Sequence, residues 1–150
     1  MNKRLRRILL ASWLLLLLLS SHAQPTFRHH GPREGMGMAF HKLLIDQQGF
    51  LWCASSNGLY RYDGYEFEFL KKYNQSGQGV SSDFIYDLTE DADGDIWVAT
   101  YNGGINRWER QTGRFHEFRH EPGDGATLCA DRVQYLHLGS RGRIWAIVKN

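Results

Sequence analysis

Short runs of β-branched and aromatic residues, each bracketed by turn residues, recur along the chain from about residue 38 onward. The run I-W-V-A-T at 96–100, for example, stands between D-A-D-G-D and Y-N-G-G. Such runs, bounded by Asp-Gly and Asn-Gly signals, predict antiparallel strands joined by hairpins. The residues that mark the pattern repeat at spacings of 45 and 48 residues: Trp52, Trp97 and Trp145, and with them Gly49, Gly94 and Gly142.

A period of 45 to 48 residues with four strand-like runs per period is typical of β-propeller blades. We therefore predict an all-β fold with blade 1 at 38–70, blade 2 at 84–119 and a truncated blade 3 at 132–150. The predicted strands are Met38–Ile45, Phe50–Ala54, Leu59–Tyr62, Tyr65–Leu70, Phe84–Glu90, Asp95–Thr100, Ile105–Glu109, Arg114–Arg119, Arg132–Leu138 and Arg143–Val148.

Two complete blades and half of a third make an incomplete propeller, since propellers close with roughly 4–8 blades. Repeat units cannot bury their apolar faces alone, so we expect two open sheet faces and a longer parent protein. Aligned on the tryptophans, Lys149-Asn150 corresponds to Tyr101-Asn102, so glycine is the expected next residue. The DNA after codon 150 is accordingly expected to encode further repeats.

The N-terminus predicts export. Residues 1–23 combine a cationic start, an apolar run from Ile8 to Leu19 and small residues before a break after Ala23, as in a cleaved signal peptide. Twelve helical residues rise only about 18 Å, too short for a hydrocarbon core of roughly 30 Å. Segment 24–37 is either a strand that closes the propeller ring or a disordered mature terminus.

The charge distribution excludes one class of partner, and the cysteine content bears on disulfide bonding. The net charge is +2, but four of the 18 basic residues lie within the first seven positions, and the remainder carries 14 basic against 16 acidic residues. No basic stripe remains, so nucleic acid is not a predicted partner. Cys53 lies inside a predicted strand and Cys129 in a loop, and we predict two unpaired, small apolar residues.

Three groups of residues resemble chemical motifs without matching one. Asp91, Asp93 and Asp95 alternate as in a calcium loop, but the glycine is fourth rather than sixth, so a plain hairpin turn is preferred. His116-Glu117-Phe118-Arg119 superficially resembles a kinase phospho-acceptor box but falls on a strand. No tight metal-ligand pair occurs among His29, His30, His41, His116, His120 and His137.

The sequence therefore predicts no catalytic, cofactor-binding or metal-binding residue, no cofactor and no enzymatic activity in this polypeptide. One alternative is a carbohydrate-binding surface formed by flat aromatic side chains, because aromatic faces can stack on sugars. Packing of one blade on the next is the preferred explanation for this set: Tyr60, Tyr62, Tyr65, Tyr101 and Trp108. The tryptophans at 52, 97 and 145 are each predicted to be mostly buried between sheets.

The runs G-F-L-W-C-A-S-S-N-G-L-Y-R-Y-D-G-Y-E-F (49–67) and G-D-I-W-V-A-T-Y-N-G-G-I-N-R-W (94–108) resemble the two-component regulator propeller repeat. The resemblance implies a periplasmic, ligand-sensing propeller of a transmembrane signal-transduction protein, anchored in the inner membrane. The output domain, a histidine kinase or diguanylate cyclase, is not encoded here. It also implies an unidentified ligand, for which an oligosaccharide is one candidate, and a homodimer through the complete propeller.

The alternative is a fragment of a secreted propeller enzyme that acts on glycans, either sialidase-like or lyase-like. The sialidase Asp-box also combines Asp, Gly and Trp on hairpins, but its aspartate stands two residues before the glycine. Asp46 and Asp91 stand three residues before theirs. Downstream sequence discriminates between the two, since a membrane span with kinase or cyclase motifs favours the sensor.

Overall fold

The computed structural model describes residues 40–70 and 79–149. The predicted signal peptide (1–23), the segment 24–37 and part of the first linker (71–78) lie outside the described residues. Within them the chain forms ten strands: β1 Phe40–Ile45, β2 Leu51–Ser55, β3 Gly58–Tyr62, β4 Phe67–Leu70, β5 Ile85–Glu90, β6 Ile96–Thr100, β7 Ile105–Glu109, β8 Arg114–Phe118, β9 Val133–Leu138 and β10 Ile144–Val148. These bounds differ from the predicted ones by no more than two residues.

The strands form two four-stranded antiparallel sheets, β1–β4 and β5–β8, and a two-stranded sheet, β9–β10. Each sheet is a simple meander, so consecutive strands are hydrogen-bonded neighbours. The first strands lie side by side, with β5 between β1 and β9. The predicted all-β, incomplete propeller is therefore confirmed, with blade 1 at β1–β4, blade 2 at β5–β8 and a half-blade at β9–β10.

The described residues contain no helix. Accordingly, no helix that is long and apolar enough to cross a membrane occurs at 40–70 or 79–149.

The turn between the first two strands of each sheet has one geometry, used three times. The glycine amide donates to the carbonyl three residues earlier, from Gly49 to Asp46 at 2.9 Å, and likewise at Gly94 and Gly142. All three glycines have positive φ, between 70° and 89°. Residues with a Cβ avoid this conformation, which explains why glycine recurs at the predicted spacing.

The main core lies between blade 1 and blade 2. Apolar side chains of alternating positions on β2 and β3 face those of β5, β6 and β7. Nine buried residues form it: Trp52, Ala54, Leu59, Val80, Ile85, Leu88, Ile96, Val98 and Trp108. The Trp52 and Trp108 rings lie 4.9 Å apart between centroids. Burying indoles of this size is among the largest single apolar contributions available to a small domain.

A second core joins blade 2 to the half-blade. Ala99 and Ile105 contribute from blade 2, and Val133 and Leu136 from β9. Trp97 packs against this core but is only partly buried. Cys53 and Tyr60 form a smaller cluster on the other face of blade 1.

The prediction that all three repeat tryptophans are mostly buried is wrong for Trp145, which is 61% exposed, and only partly met by Trp97. Trp52 alone is fully enclosed, with 0% exposure. The physical reason is that each tryptophan faces the next sheet along the chain. Four strands cover Trp52, two cover Trp97, and none of the described strands covers Trp145.

Two apolar sheet faces are open, as expected from the blade count. Leu43 and Ile45 are 57% and 70% exposed on the outer face of blade 1. On the opposite side of the described fold, Tyr135, Trp145 and Ile147 are each about 60% exposed on the half-blade.

Candidate functional site

An aspartate–tryptophan clasp closes the first turn of each complete blade. In blade 1 one oxygen of Asp46 accepts hydrogen bonds from the backbone amides of Gln48 (2.9 Å) and Phe50 (3.0 Å). The other oxygen accepts the indole Nε1–H of Trp52 at 2.9 Å. The charge-assisted bonds of one carboxylate thus fix both the turn and the rotamer of the core tryptophan.

Blade 2 repeats this clasp and accounts for its acidic triplet. Asp91 accepts from the amides of Asp93 and Asp95 and from the indole of Trp97 at 2.7 Å. Asp95 accepts the amide of Arg110 at 3.0 Å, whereas Asp93 is exposed. The three aspartates therefore have separate tasks, and within 40–70 and 79–149 no cluster of His, Cys, Asp or Glu is arranged to hold a metal ion.

The half-blade lacks the clasp because Gly139 occupies the aspartate position. The indole of Trp145 lies so close to this site that a Cβ built on Gly139 would stand 2.9 Å from its Nε1, and an aspartate fits there only if the indole shifts. The turn itself is intact, with the Gly142 amide 3.0 Å from the Gly139 carbonyl. The half-blade thus lacks the carboxylate, and its indole occupies part of the space that an aspartate side chain would need.

An arginine on the neighbouring strand makes a cation–π contact with each of the two tryptophans in the clasps. Arg61 pairs across the strands with Trp52, and its guanidinium carbon lies 5.7 Å from that ring. Arg107 has the same cross-strand position and the same 5.7 Å separation from the ring of Trp97. These cation–π contacts extend the repeat beyond the residues that marked it in the sequence.

A polar network joins the outer ends of blades 1 and 2. Glu90 accepts the Gln47 backbone amide with both carboxylate oxygens, at 3.0 and 3.1 Å. Arg110 donates to Glu90 at 2.9 Å and lies 3.6 Å from Asp46. The turn of blade 1 is thus held in register by side chains of blade 2, which sequence spacing alone did not indicate.

Asp87 links all three first strands. It is buried on β5, its Oδ1 lies 3.2 Å from Nζ of Lys42 on β1, and its Oδ2 accepts the Leu136 amide of β9 at 3.0 Å. A buried carboxylate needs such partners, because its desolvation is otherwise costly. No sequence signal marked this residue, since the aligned positions on β1 and β9 hold other residue types.

The histidines, among which the sequence predicts no metal-ligand pair, lie apart within the described residues. His116 lies on β8 with Nε2 3.4 Å from Glu109, and His120 has its Nδ1 2.6 Å from the Leu128 carbonyl. His41 and His137 lie on β1 and β9. His29 and His30 are outside the described residues. The position of His116 on a strand agrees with setting the phospho-acceptor hypothesis aside.

The cysteines are unpaired, as predicted. Cys53 is buried on β2 behind Tyr60, and burial raises the pKa of its thiol to about 11. Cys129 is exposed in the linker before β9.

An ion pair holds the linker between β8 and β9 in place. Arg119 donates a hydrogen bond to Asp131 at 2.7 Å. Burial opposes ionisation of Asp131, but the bonds from Arg119 and the His120 amide outweigh it and lower its pKa.

Aromatic side chains and one arginine gather where the first strands begin. His41 stacks on Phe84 with 5.0 Å between ring centroids, and Phe84 in turn lies 5.0 Å from Tyr86. Tyr101, in the β6–β7 turn, lies 5.8 Å from Phe84, and the guanidinium of Arg132 lies 4.8 Å above its ring. We call these five residues the aromatic–arginine surface.

This surface corrects part of the aromatic prediction. Tyr60 and Trp108 are buried packing residues, as preferred, but Tyr65 is 93% exposed and Tyr101 is 38% exposed. Packing therefore explains some members of the set and not others. The remaining members of the surface were missed because they are distant in sequence and meet only when β1, β5 and β9 align.

A groove of about 830 Å³ lies between blade 2 and the half-blade. Trp97, Phe118, Leu128 and Ile144 are among its lining residues. At the equivalent place between blades 1 and 2, side chains of the third and fourth strands fill the space. The groove is therefore the space left beside a two-stranded sheet, not a cavity shaped around a ligand.

One segment of the chain matches a known sequence family. Residues 79–102, from the approach to β5 through β6, match the family described as two component regulator propeller. The matched segment comprises the first two strands of blade 2, β5 and β6. The match overlaps the run at 94–108 and confirms the resemblance there, whereas the run at 49–67 lies outside the matched residues. Among curated protein sequences, none matches the chain significantly.

Solved structures from B. thetaiotaomicron share this propeller fold. The extracellular domain of a protein described as a hybrid two component system matches with a TM-score of 0.71 and 25% identity, covering 79% of this chain and 17% of that one. A second extracellular domain, of a protein described as a one component system, matches with a TM-score of 0.63 and 23% identity, covering 78% and 17%. This chain thus spans less than a fifth of either solved domain.

Proposed function

We propose that this chain forms part of the extracytoplasmic, ligand-sensing propeller of a transmembrane signal-transduction protein. The observation that carries the proposal is the two-component regulator propeller repeat at residues 79–102. The likeness to an extracellular domain described as part of a hybrid two component system supports it.

Ligand sensing is supported by a set of side chains that the repeat does not explain. The clasps, the arginine contacts and the inter-blade network recur or join blades, so packing and turn geometry account for them. The aromatic–arginine surface also joins blades, since His41 of blade 1 stacks on Phe84 of blade 2, but its residue types do not recur from blade to blade. Partly exposed aromatic and cationic side chains at the converging ends of rigid strands are a common basis for recognising small molecules.

A periplasmic location follows from the same proposal together with the apolar N-terminus at residues 1–23. Catalysis is not part of the proposed role, and any kinase or cyclase activity would belong to other domains of the signalling protein. The polypeptide is expected to show no turnover of glycans by itself.

Two measurements test the proposal. Expressed with its own N-terminus in a Gram-negative host, the chain should be recovered from the periplasm with Gln24 as its first residue. In the source genome, the reading frames that follow codon 150 should encode further G-x-[IL]-W repeats, then a membrane span and a kinase or cyclase. A chain retained in the cytoplasm, or downstream DNA with glycan-hydrolase motifs in place of signalling domains, would overturn the assignment.

A further inference from the structure

The aromatic–arginine surface occupies positions where the repeats differ from one another. Aligned on the tryptophans, Arg132 takes the place of Phe84, and Tyr86 takes the place of His41. The turn glycines hold one residue type in every blade, whereas other positions vary, as Asp46, Asp91 and Gly139 do. Positions at which each blade carries a different chemical group are not fixed by the repeat, and several of them converge on one surface here.

Arg132 is the exception among the partly buried arginines of the described residues. Arg61, Arg107 and Arg110 each have a carboxylate within 3.6 Å. No carboxylate is paired with Arg132 in the described part of the chain, and its Nη2 makes one long contact, 3.4 Å from the Tyr86 hydroxyl. Its Nε is enclosed and has no hydrogen-bond partner.

This arrangement is electrostatically unfavourable without a ligand. A guanidinium that is partly removed from water loses hydration, and a carboxylate partner normally offsets that loss. The cation–π contact with Tyr101 offsets only part of it. An anion bound at Arg132 would therefore gain a charge-assisted interaction with a group that has few competing partners.

Aromatic rings beside Arg132 would contact the uncharged part of a bound ligand. Phe84, Tyr86 and Tyr101 have centroids within 6.2 Å of one another, so they form a continuous aromatic surface. Tyr101 leaves 38% of its surface in water and His41 is exposed at the other side. Aromatic faces pack against flat rings and against the apolar C–H faces of sugar rings.

We propose that the aromatic–arginine surface binds a six-membered ring that carries a carboxylate, with the carboxylate on Arg132 and the ring against the neighbouring aromatic side chains. The inference rests on the proposed ligand-sensing function and names the chemical class of the ligand. Sugar acids and aromatic acids share this chemistry, and the experiment distinguishes between them.

The test is binding to the purified mature chain, measured by saturation-transfer NMR and titration calorimetry with three probes. D-glucuronate represents sugar acids, benzoate represents aromatic acids, and D-glucose is the uncharged control. We expect one of the two acids to bind at least tenfold more tightly than glucose, with affinity that falls as salt is added. Tighter binding of glucuronate would identify a sugar acid as the source, and tighter binding of benzoate an aromatic acid.

Matched variants assign the binding to this surface. Arg132→Gln keeps a hydrogen-bond donor for Tyr86 but removes the charge, and it should weaken binding of the preferred acid about tenfold or more. Arg114→Gln, an exposed arginine on β8, should leave the affinity unchanged. If Arg132→Gln fails to fold, Tyr101→Leu replaces it and should also weaken binding. Failure of both acids to outbind glucose, or undiminished binding in a folded surface variant, overturns the inference.

These outcomes are separable from those that test the proposed function. Loss of the carboxylate preference leaves the periplasmic and genomic results untouched. Conversely, a verified carboxylate site in a chain followed by glycan-hydrolase motifs would keep the site and overturn the sensor.

Discussion

Removing the carboxylate of the Asp46 clasp should destabilise the chain more than the same change at Asp91. In Asp46→Ala the indole N–H of Trp52 loses its acceptor inside a side chain with 0% exposure, where water cannot replace it. In Asp91→Ala the indole belongs to the partly exposed Trp97, which water can reach.

The magnitudes follow from the number and burial of the bonds. An unsatisfied buried donor costs about 1–3 kcal/mol, and the two turn amides of Gln48 and Phe50 add about 0.5 kcal/mol each, since water recovers part of their bonding. We therefore expect a loss of about 3 kcal/mol for Asp46→Ala and about 1–2 kcal/mol for Asp91→Ala. With a urea m-value of roughly 1–3 kcal/mol/M, the larger loss lowers the midpoint by about 1–3 M.

Urea unfolding should be followed by far-ultraviolet circular dichroism, because both changes alter tryptophan fluorescence directly. Asp93→Ala is the matched control, an exposed aspartate of the same turn, and should stay within about 0.5 kcal/mol of the parent chain. If Asp46→Ala does not fold, Asp46→Asn retains one acceptor and gives a smaller loss. An equal or larger loss at Asp91, or a loss below about 1 kcal/mol at Asp46, would refute the argument from indole burial.

Three further predictions use the same structure. Gly139→Asp supplies the missing third carboxylate, but its Cβ would stand 2.9 Å from Nε1 of Trp145, so the indole must shift to admit it. Because this indole is 61% exposed and can move, we expect the free energy of unfolding in urea titrations to rise by about 0.5–2 kcal/mol, and a decrease would show that the clasp does not transfer. Cys129 should react with iodoacetamide at pH 8 at least tenfold faster than Cys53, because burial raises the pKa of Cys53 to about 11, and mass spectrometry of peptides separates the two. Because Arg119 and a backbone amide lower the pKa of Asp131, this carboxylate stabilises the fold above its ordinary pKa of 3.8, and that contribution should disappear as pH falls through the lowered value. Asp131→Asn should flatten this part of the stability–pH curve, and an unchanged curve would contradict the pairing.

The sequence by itself determined the strands, the turns and the blade repeat. These depend on short-range constraints: alternation sets the faces of a strand, and a turn that needs positive φ selects glycine at Gly49, Gly94 and Gly142. The same local logic separated Asp91, Asp93 and Asp95 from a calcium loop.

Tertiary structure alone decided which residues are buried and which meet. Trp52 and Trp145 occupy one position of the repeat, yet one is enclosed and the other is 61% exposed, because burial depends on the neighbouring sheet rather than on the residue. Asp87 bridges three strands, and Arg132 meets Tyr86 across 46 residues of chain, only because the first strands lie side by side. Such contacts do not repeat along the chain, so residue spacing in the sequence does not predict them.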